Sequence, residues 1–197
     1  MNSSLPNLGS VIRVHIDTEF TDFMNCDLIS IGLAADNGME FYGENSEFLR
    51  PWASQFVKDH IYPLLTPEKS AWRRQELSAR VWSWIEELPA EFVIITSDYR
   101  TDDELLINLF DEDKHPKILA FQNIYNNIYY ACDEQVKAMG LSGDEYDRLK
   151  TRVKAKYELY HMDYYFRTKE IAHHALSDAK ANREAYTMIV NEFGMPR

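Results

Sequence analysis

From Val11 to Phe20 apolar and polar residues alternate without a break. Ile12, Val14, Ile16 and Thr18 fall on one face, and Arg13, His15, Asp17 and Glu19 on the other. A period of two is the mark of a strand with one side toward a core. Leu28 to Ala35 reads as a second strand. Asp36-Asn37-Gly38 supplies the turn, because Asn and Gly tolerate positive φ. Met39 to Gly43 returns as a third strand. The chain therefore opens as an antiparallel meander, and the rest of it has a sheet to cover.

Ala53 to Tyr62 is expected to be helical, ended by Pro63. Thr66-Pro67-Glu68 opens a long helix to about Leu88, with Thr66 as N-cap and Pro67 at the first helical position. Within Glu91 to Ser97, the run Phe92-Val93-Ile94-Ile95 reads as a buried strand. Thr101-Asp102-Asp103-Glu104 fits a capping box that opens a helix to Phe110. Lys117 to Phe121 is a candidate fifth strand. Residues 123–166 read as helical, with Leu149, Val153, Tyr157, Tyr160 and Tyr164 at helical spacing and a break between Gly140 and Gly143. A last helix runs from about Ala175 to Phe193, with Ala175, Ala179, Tyr186 and Val190 on one face. This order implies one α/β domain over 1–197: a mixed β-sheet, antiparallel meander plus parallel strands, flanked by helices.

With 45% apolar and 13% aromatic residues the chain is expected to fold rather than stay disordered. No run approaches the ~20 apolar residues of a membrane helix. Residues 1–10 are polar, are expected to be flexible, and lack the apolar stretch of a signal peptide. Cys26 and Cys132 are too few for a disulfide framework, so a reducing, cytoplasmic setting is expected. The net charge of −11 argues against a protein that coats nucleic acid by bulk charge. It leaves room for a metal-dependent enzyme, because bound cations reverse the local sign.

Asp17 and Glu19 leave the same face of their strand with Cα atoms about 7 Å apart. Such a pair can grip a hard cation such as magnesium, manganese or calcium. A solvated, charged strand face would carry the same pair. His173 and Asp178 add to it. On one continuous helix they would stand ~140° apart. They converge if His173 lies in the loop before the last helix and Asp178 in its early turns, where small Ala175 and Ala179 let that helix approach the sheet. The helix dipole alone would favour Asp178 there, but it would not explain those neighbours.

These fragments resemble a known family, the DEDD 3′-5′ exonucleases, in the branch whose last motif is His-x-x-x-x-Asp. Asp17-Thr18-Glu19 is similar to its Asp-x-Glu motif, and His173-His174-Ala175-Leu176-Ser177-Asp178-Ala179 to its His-x-Ala-Leu-x-Asp-Ala. A closer resemblance is to the ribonuclease AS group. It rests on Asp17-Thr18-Glu19-Phe20 followed by Leu28-Ile29-Ser30-Ile31-Gly32, and on the stretch from His60 through Pro63-Leu64-Leu65 to Trp72 and Arg73. Residues 111–165 lie outside the resemblance. It implies a ribonuclease H-like fold and a middle aspartate at the start of the helix after the fourth strand. Asp98, Asp102 and Asp103 are the candidates. Asp102 is chosen because Leu105-Leu106 follow it, although the usual Asn-x-x-Phe-Asp form is absent and Thr101 holds the place of the Phe.

The resemblance further implies two magnesium ions, with manganese able to replace them. Asp17, Glu19 and Asp178 would hold one; Asp17 would bridge to the second, with Asp102. His173 would take a proton from the attacking water, a task suited to an imidazole of pKa ~6.5. Thr18 and Phe20 are the candidate substrate contacts, Phe20 by stacking on a base or else by packing in the core. The implied activity is hydrolysis of single-stranded RNA from its 3′ end, releasing nucleoside 5′-monophosphates, with a preference for adenylate-containing RNA and a homodimer. A 3′-5′ exodeoxyribonuclease with the same site is the alternative. A catalytically inactive nucleic-acid- or protein-binding module is a further one, disfavoured because clustered carboxylates repel one another without a cation. The basic run Arg148, Lys150, Arg152, Lys154 and Lys156 is expected to be a solvated helix face, with guidance of phosphates as its functional reading. Trp72, Trp82 and Trp84 are expected in the core.

Overall fold

The computed structural model describes residues 9–140 and 143–194. Apart from Gly9 and Ser10, the expectation for the N-terminus lies outside the described residues, as does the centre of the junction between 140 and 143. Six strands form one sheet: β1 (Val11–Phe20), β2 (Leu28–Ala35), β3 (Glu40–Asn45), β4 (Ala71–Trp72), β5 (Phe92–Ser97) and β6 (Ile118–Asn123), in the order β4-β3-β2-β1-β5-β6. The meander β1-β2-β3 is antiparallel, while β5 and β6 join beside β1 in parallel and β4 joins β3 in parallel. The helices are α1 (Pro67–Ser70), α2 (Arg74–Glu87), α3 (Arg100–Leu109), α4 (Ile124–Met139), α5 (Gly143–Thr168) and α6 (Ala175–Phe193). A mixed sheet flanked by helices is the expected α/β architecture and is consistent with a ribonuclease H-like fold.

The apolar face of β1 does what its alternation requires. Val14 and Ile16 are fully buried with Ile31 and Leu33 of β2, Val93 and Ile95 of β5, Leu77 and Val81 of α2 and Leu106 of α3. A second cluster joins α4, α5 and α6 through Ile128, Val153, Tyr157, Ala185 and Ile189. The β1–β2 register shifts between Glu19 and Phe20: Glu19 pairs with Ser30 but Phe20 with Leu28. The unpaired Ile29 is thereby sent into a third cluster with Phe48, Val57 and Ile61. Such an irregularity bends a strand end, here the end that carries Glu19.

Three local expectations are corrected. Residues 53–62 are not one helix. Val57–Ile61 is a π-helical turn between the 3₁₀ turns Arg50–Trp52 and Tyr62–Leu64, each with a proline at its start. A proline fits the first turn of a helix but not its interior, so the segment breaks into short turns. The long helix from Thr66 is likewise split into α1, β4 and α2. The cause is distant in sequence. Glu44, buried on β3, accepts hydrogen bonds from the Thr66 amide (2.6 Å) and from the Ser70 and Tyr42 hydroxyls (both 2.9 Å). It anchors α1, and Ala71 and Trp72 then pair with Glu44 and Asn45. Finally, α3 starts at Arg100, after Tyr99, with no side-chain cap. Thr101 forms no capping box, and Asp102 turns inward.

The polar face of β1 and its neighbour β2 receive α6. Gly32 makes this possible: a Cβ there would lie 2.3 Å from the backbone C and O of Ala175 and from the Leu176 amide nitrogen. Backbone atoms of a helix cannot yield by that much. Gly32→Ala is expected to lower the melting temperature by an amount worth about 1–3 kcal/mol, the usual cost of overpacking. An unchanged thermal unfolding midpoint would contradict so close an approach.

Candidate metal centre

Four elements converge where β1 and β5 end: those two strands, α3 and α6. On β1, Asp17 lies opposite Gly32 and Glu19 opposite Ser30, so both look toward the start of α6. Asp178 sits in the first turn of α6, after His174 as N-cap. Oxygens of Asp17, Glu19 and Asp178 all lie within 4.8 Å of one another. Asp98 follows the last residue of β5, and Asp102 is in the first turn of α3. Oxygens of Asp17, Asp98 and Asp102 form a second group within the same 4.8 Å. Asp17 belongs to both groups. The middle-segment candidates are thus not exclusive, since Asp98 and Asp102 both reach Asp17.

Asp102, Asp178 and Asp98 are held by uncharged donors. Asp102, 2% exposed, accepts on Oδ1 from the Thr18 amide (3.0 Å) and hydroxyl (2.7 Å). Its Oδ2 is buried with no hydrogen-bond partner among the described residues. Asp178 accepts from the Tyr165 hydroxyl (2.5 Å) on Oδ1 and from the His173 amide (3.1 Å) on Oδ2. Asp98 is bonded by the Asn182 side chain. The amide oxygen of Asn182 accepts from Tyr157 (2.6 Å), which leaves its NH₂ group for Asp98.

Burial and crowding raise the pKa of these carboxyls above the ordinary carboxylate range. Asp17 is raised well above the ordinary carboxylate range by burial, then by the charges of Asp102, Asp178, Glu19 and Asp98. Burial, with Asp178 and Asp102, pushes Glu19 up to about 8. Burial raises Asp102 to about 8 against the two bonds from Thr18, and Asp178 to about 6 against those from Tyr165 and His173. The donors are hard oxygens alone, and one buried oxygen is orphaned. That set fits magnesium or manganese, whose charge would release the protons.

His173 stands at the rim. It is exposed, with a left-handed φ of 64°, a conformation His adopts more readily than most residues. Its amide reaches the centre while its ring lies edge-on to Phe56 (5.1 Å between centroids) and 6.3 Å from His60. Desolvation, then His60, lowers its pKa. His174 points elsewhere, stacked on Tyr42 at 4.3 Å. His15 is fully buried, 3.6 Å from Asp36 and against Tyr186. Both donors of Thr18 are directed at Asp102. Phe20 packs partly on the core, and its ring begins an aromatic chain to the exposed Phe23 (5.0 Å) and from there to the exposed Tyr99 (5.9 Å). Trp84 is buried and Trp72 and Trp82 pack against the main core. In the basic run, Lys156 pairs with Glu192, Lys150 with Asp133, and Arg152 lies over Phe193.

The sequence reading did not single out Tyr165, Asn182 or His161. Tyr165 and His161 lie one turn apart on α5, and their rings touch edge to face (5.3 Å). The four-residue spacing was a visible signal, masked by the more regular tyrosine stripe beside it.

Fold and site together define a class: an α/β protein with an acidic cluster that could hold metal ions at the ends of β1 and β5. No family model matches the chain. Curated relatives do. Two proteins named 3′-5′ exoribonuclease, from the CDC 1551/Oshkosh and H37Rv strains of Mycobacterium tuberculosis, are each 34% identical over 91 aligned positions, covering 38% of this chain and 54% of the relative. The chain spans about half the length of the curated relatives it matches. Among the described residues no helix is long and apolar enough to cross a membrane.

The raised carboxyls fix a pH dependence. Each binds its proton more tightly folded than unfolded, so the stability it contributes is full below the unfolded pKa of ~4 and is lost as pH rises through the folded value. Those values are about 6 for Asp178 and about 8 for Glu19 and Asp102. In chelator, the melting temperature is expected to fall between pH 6 and 9, and millimolar manganese or magnesium to restore it most at the alkaline end. A metal-free melting temperature that rises over that range would contradict the crowding.

Proposed function

We propose that this chain is a metal-dependent 3′-5′ exoribonuclease. It hydrolyses the terminal phosphodiester of single-stranded RNA and releases nucleoside 5′-monophosphates, in the reducing, cytoplasmic setting its cysteines suit. The observation that carries the reading is Asp17, shared by two carboxylate groups. A bridging carboxylate between two divalent cations is what an in-line displacement with charged attacking and leaving oxygens calls for. The similarity to proteins named 3′-5′ exoribonuclease supports the same reading and favours RNA. The homodimer implied by the family resemblance belongs to this proposal as well.

In this reading Glu19 and Asp178 would hold one cation with Asp17, and Asp102 with Asp17 would hold the other. Magnesium suits both positions, and manganese can replace it. When bound, the cations supply charge to activate water and to stabilise the departing oxygen. The protein does the rest. Thr18 fixes Asp102, and Tyr165 with the His173 amide fixes Asp178. His173, whose pKa desolvation and His60 lower, accepts the proton of the attacking water at an imidazole nitrogen. Thr18 and Phe20 border the terminal nucleotide, and the exposed rings of Phe23 and Tyr99 extend the stacking surface.

A 5′-labelled single-stranded RNA and its DNA counterpart, incubated with magnesium, manganese or chelator, test this. The expected result is a ladder that shortens from the 3′ end only with metal. Asp178→Ala should slow it by more than about a hundredfold, beyond the loss of an outer-shell partner. Faster loss of the DNA would move the reading to an exodeoxyribonuclease, and no cleavage of either strand would replace it with a binding module. His173→Ala should lower kcat by about 10²–10⁴ and abolish the fall in rate on the acid side of the pH profile. A variant that keeps that acid limb would remove His173 as the base.

A further inference from the structure

We infer that Asp98 is a fifth carboxylate of the centre, and that Asp17, Asp98 and Asp102 hold the second cation before any nucleic acid arrives. The inference rests on the reading that the centre takes two cations. The sequence supplied one middle carboxylate, Asp102, and the place that the Asn-x-x-Phe-Asp pattern gives to Asn is held here by Asp98.

Distance comes first. Oxygens of Asp17, Asp98 and Asp102 lie within 4.8 Å of one another. A divalent cation contacts oxygens at ~2.1–2.4 Å, so ligands on opposite sides of it stand ~4.2–4.8 Å apart. Second, Asp102 is 2% exposed, with Oδ1 committed to Thr18 and Oδ2 without a partner among the described residues. A buried carboxylate oxygen left bare is costly unless something of opposite charge meets it.

Third, Asp98 is held for a purpose other than capping. Its carboxylate is bonded by its own amide and by Asn182, and α3 begins after Tyr99 with no side-chain cap. Asn182 is 1% exposed and is itself oriented by the buried Tyr157. The half-buried His161 of α5 faces Asp98 as well. Two buried side chains thus press a carboxylate toward others of its own charge, an arrangement that destabilises the chain until a cation neutralises it.

Three protein carboxylates at the second position change when it fills. With Asp17 and Asp102 alone, a hard cation would keep most of its water until a substrate phosphate came to share it. With Asp98 added, the second position has as many protein carboxylates as the first, formed by Asp17, Glu19 and Asp178.

Manganese binding to the full chain, without nucleic acid, tests this through the electron paramagnetic resonance of free manganese. The expected count is two ions per chain. Asp98→Asn, near-isosteric and checked for folding by circular dichroism, should bind one, or bind the second at least about tenfold more weakly. One ion on the unaltered chain overturns the inference, and so does Asp98→Asn with two ions at unchanged affinity. Should Asp98→Asn not fold, Asp98→Ala, which places no second amide against Asn182, is read in its place by the same criteria. RNA and DNA cleavage by the same protein separates the two proposals. Two ions and no cleavage would leave this inference standing and remove the nuclease reading. Cleavage with one ion would do the reverse.

Discussion

Carboxylates crowded around Asp17 repel one another, and the fold is arranged to hold them together in spite of it. Asp17 and Glu19 come from β1, Asp98 from the end of β5, Asp102 from α3 and Asp178 from α6. No element supplies more than two. The repulsion is therefore borne by the whole α/β framework, in which β1 is central to the sheet and pairs with both β2 and β5. Hydrogen bonds to the cluster come from Thr18, Tyr165, Asn182 and the His173 amide, none of which carries a formal positive charge. Such donors fix geometry without neutralising the site, which a bound cation could do.

The approach of α6 to the sheet is the mechanical counterpart of that electrostatic arrangement. Gly32 gives up its side chain so that the first turn of α6 can rest on β2, and Ala175 and Ala179 are fully buried there. The small residues set the height of Asp178 above Asp17. The same first turn ties its own approach loop to the centre, because the His173 amide bonds Asp178. Loop, helix and carboxylate are therefore positioned as one unit.

Much of this was readable in the chain. The alternation of Val11–Phe20 and the apolar run Leu28–Ala35 gave both strands with the bounds the structure shows, because period-two patterning is local. Helix geometry set the condition under which His173 and Asp178 converge, His173 in a loop and Asp178 in an early helical turn, and the structure meets it. What stayed hidden depends on contacts across long stretches of sequence. The break of the helix after Thr66 is made by Glu44, on another strand. Asp102 fits a capping box by local pattern, yet Thr18, far away in sequence, turns it inward. Asp98, at the strand end, was a candidate passed over for Asp102, because Asn182 and Tyr157, which hold it, are brought by α6 and α5. The spacing of Tyr165 from His161 was visible but carried no role by itself, because that role depends on which face of α5 meets α6.

The most direct test of the account is the anomalous diffraction of manganese in crystals of the protein grown without nucleic acid. The account predicts two peaks flanking the Asp17 carboxylate, one reached by Glu19 and Asp178 and the other by Asp98 and Asp102. A map without a peak at Asp17, with its neighbours still gathered around it, would contradict the claim that this cluster exists to hold divalent cations.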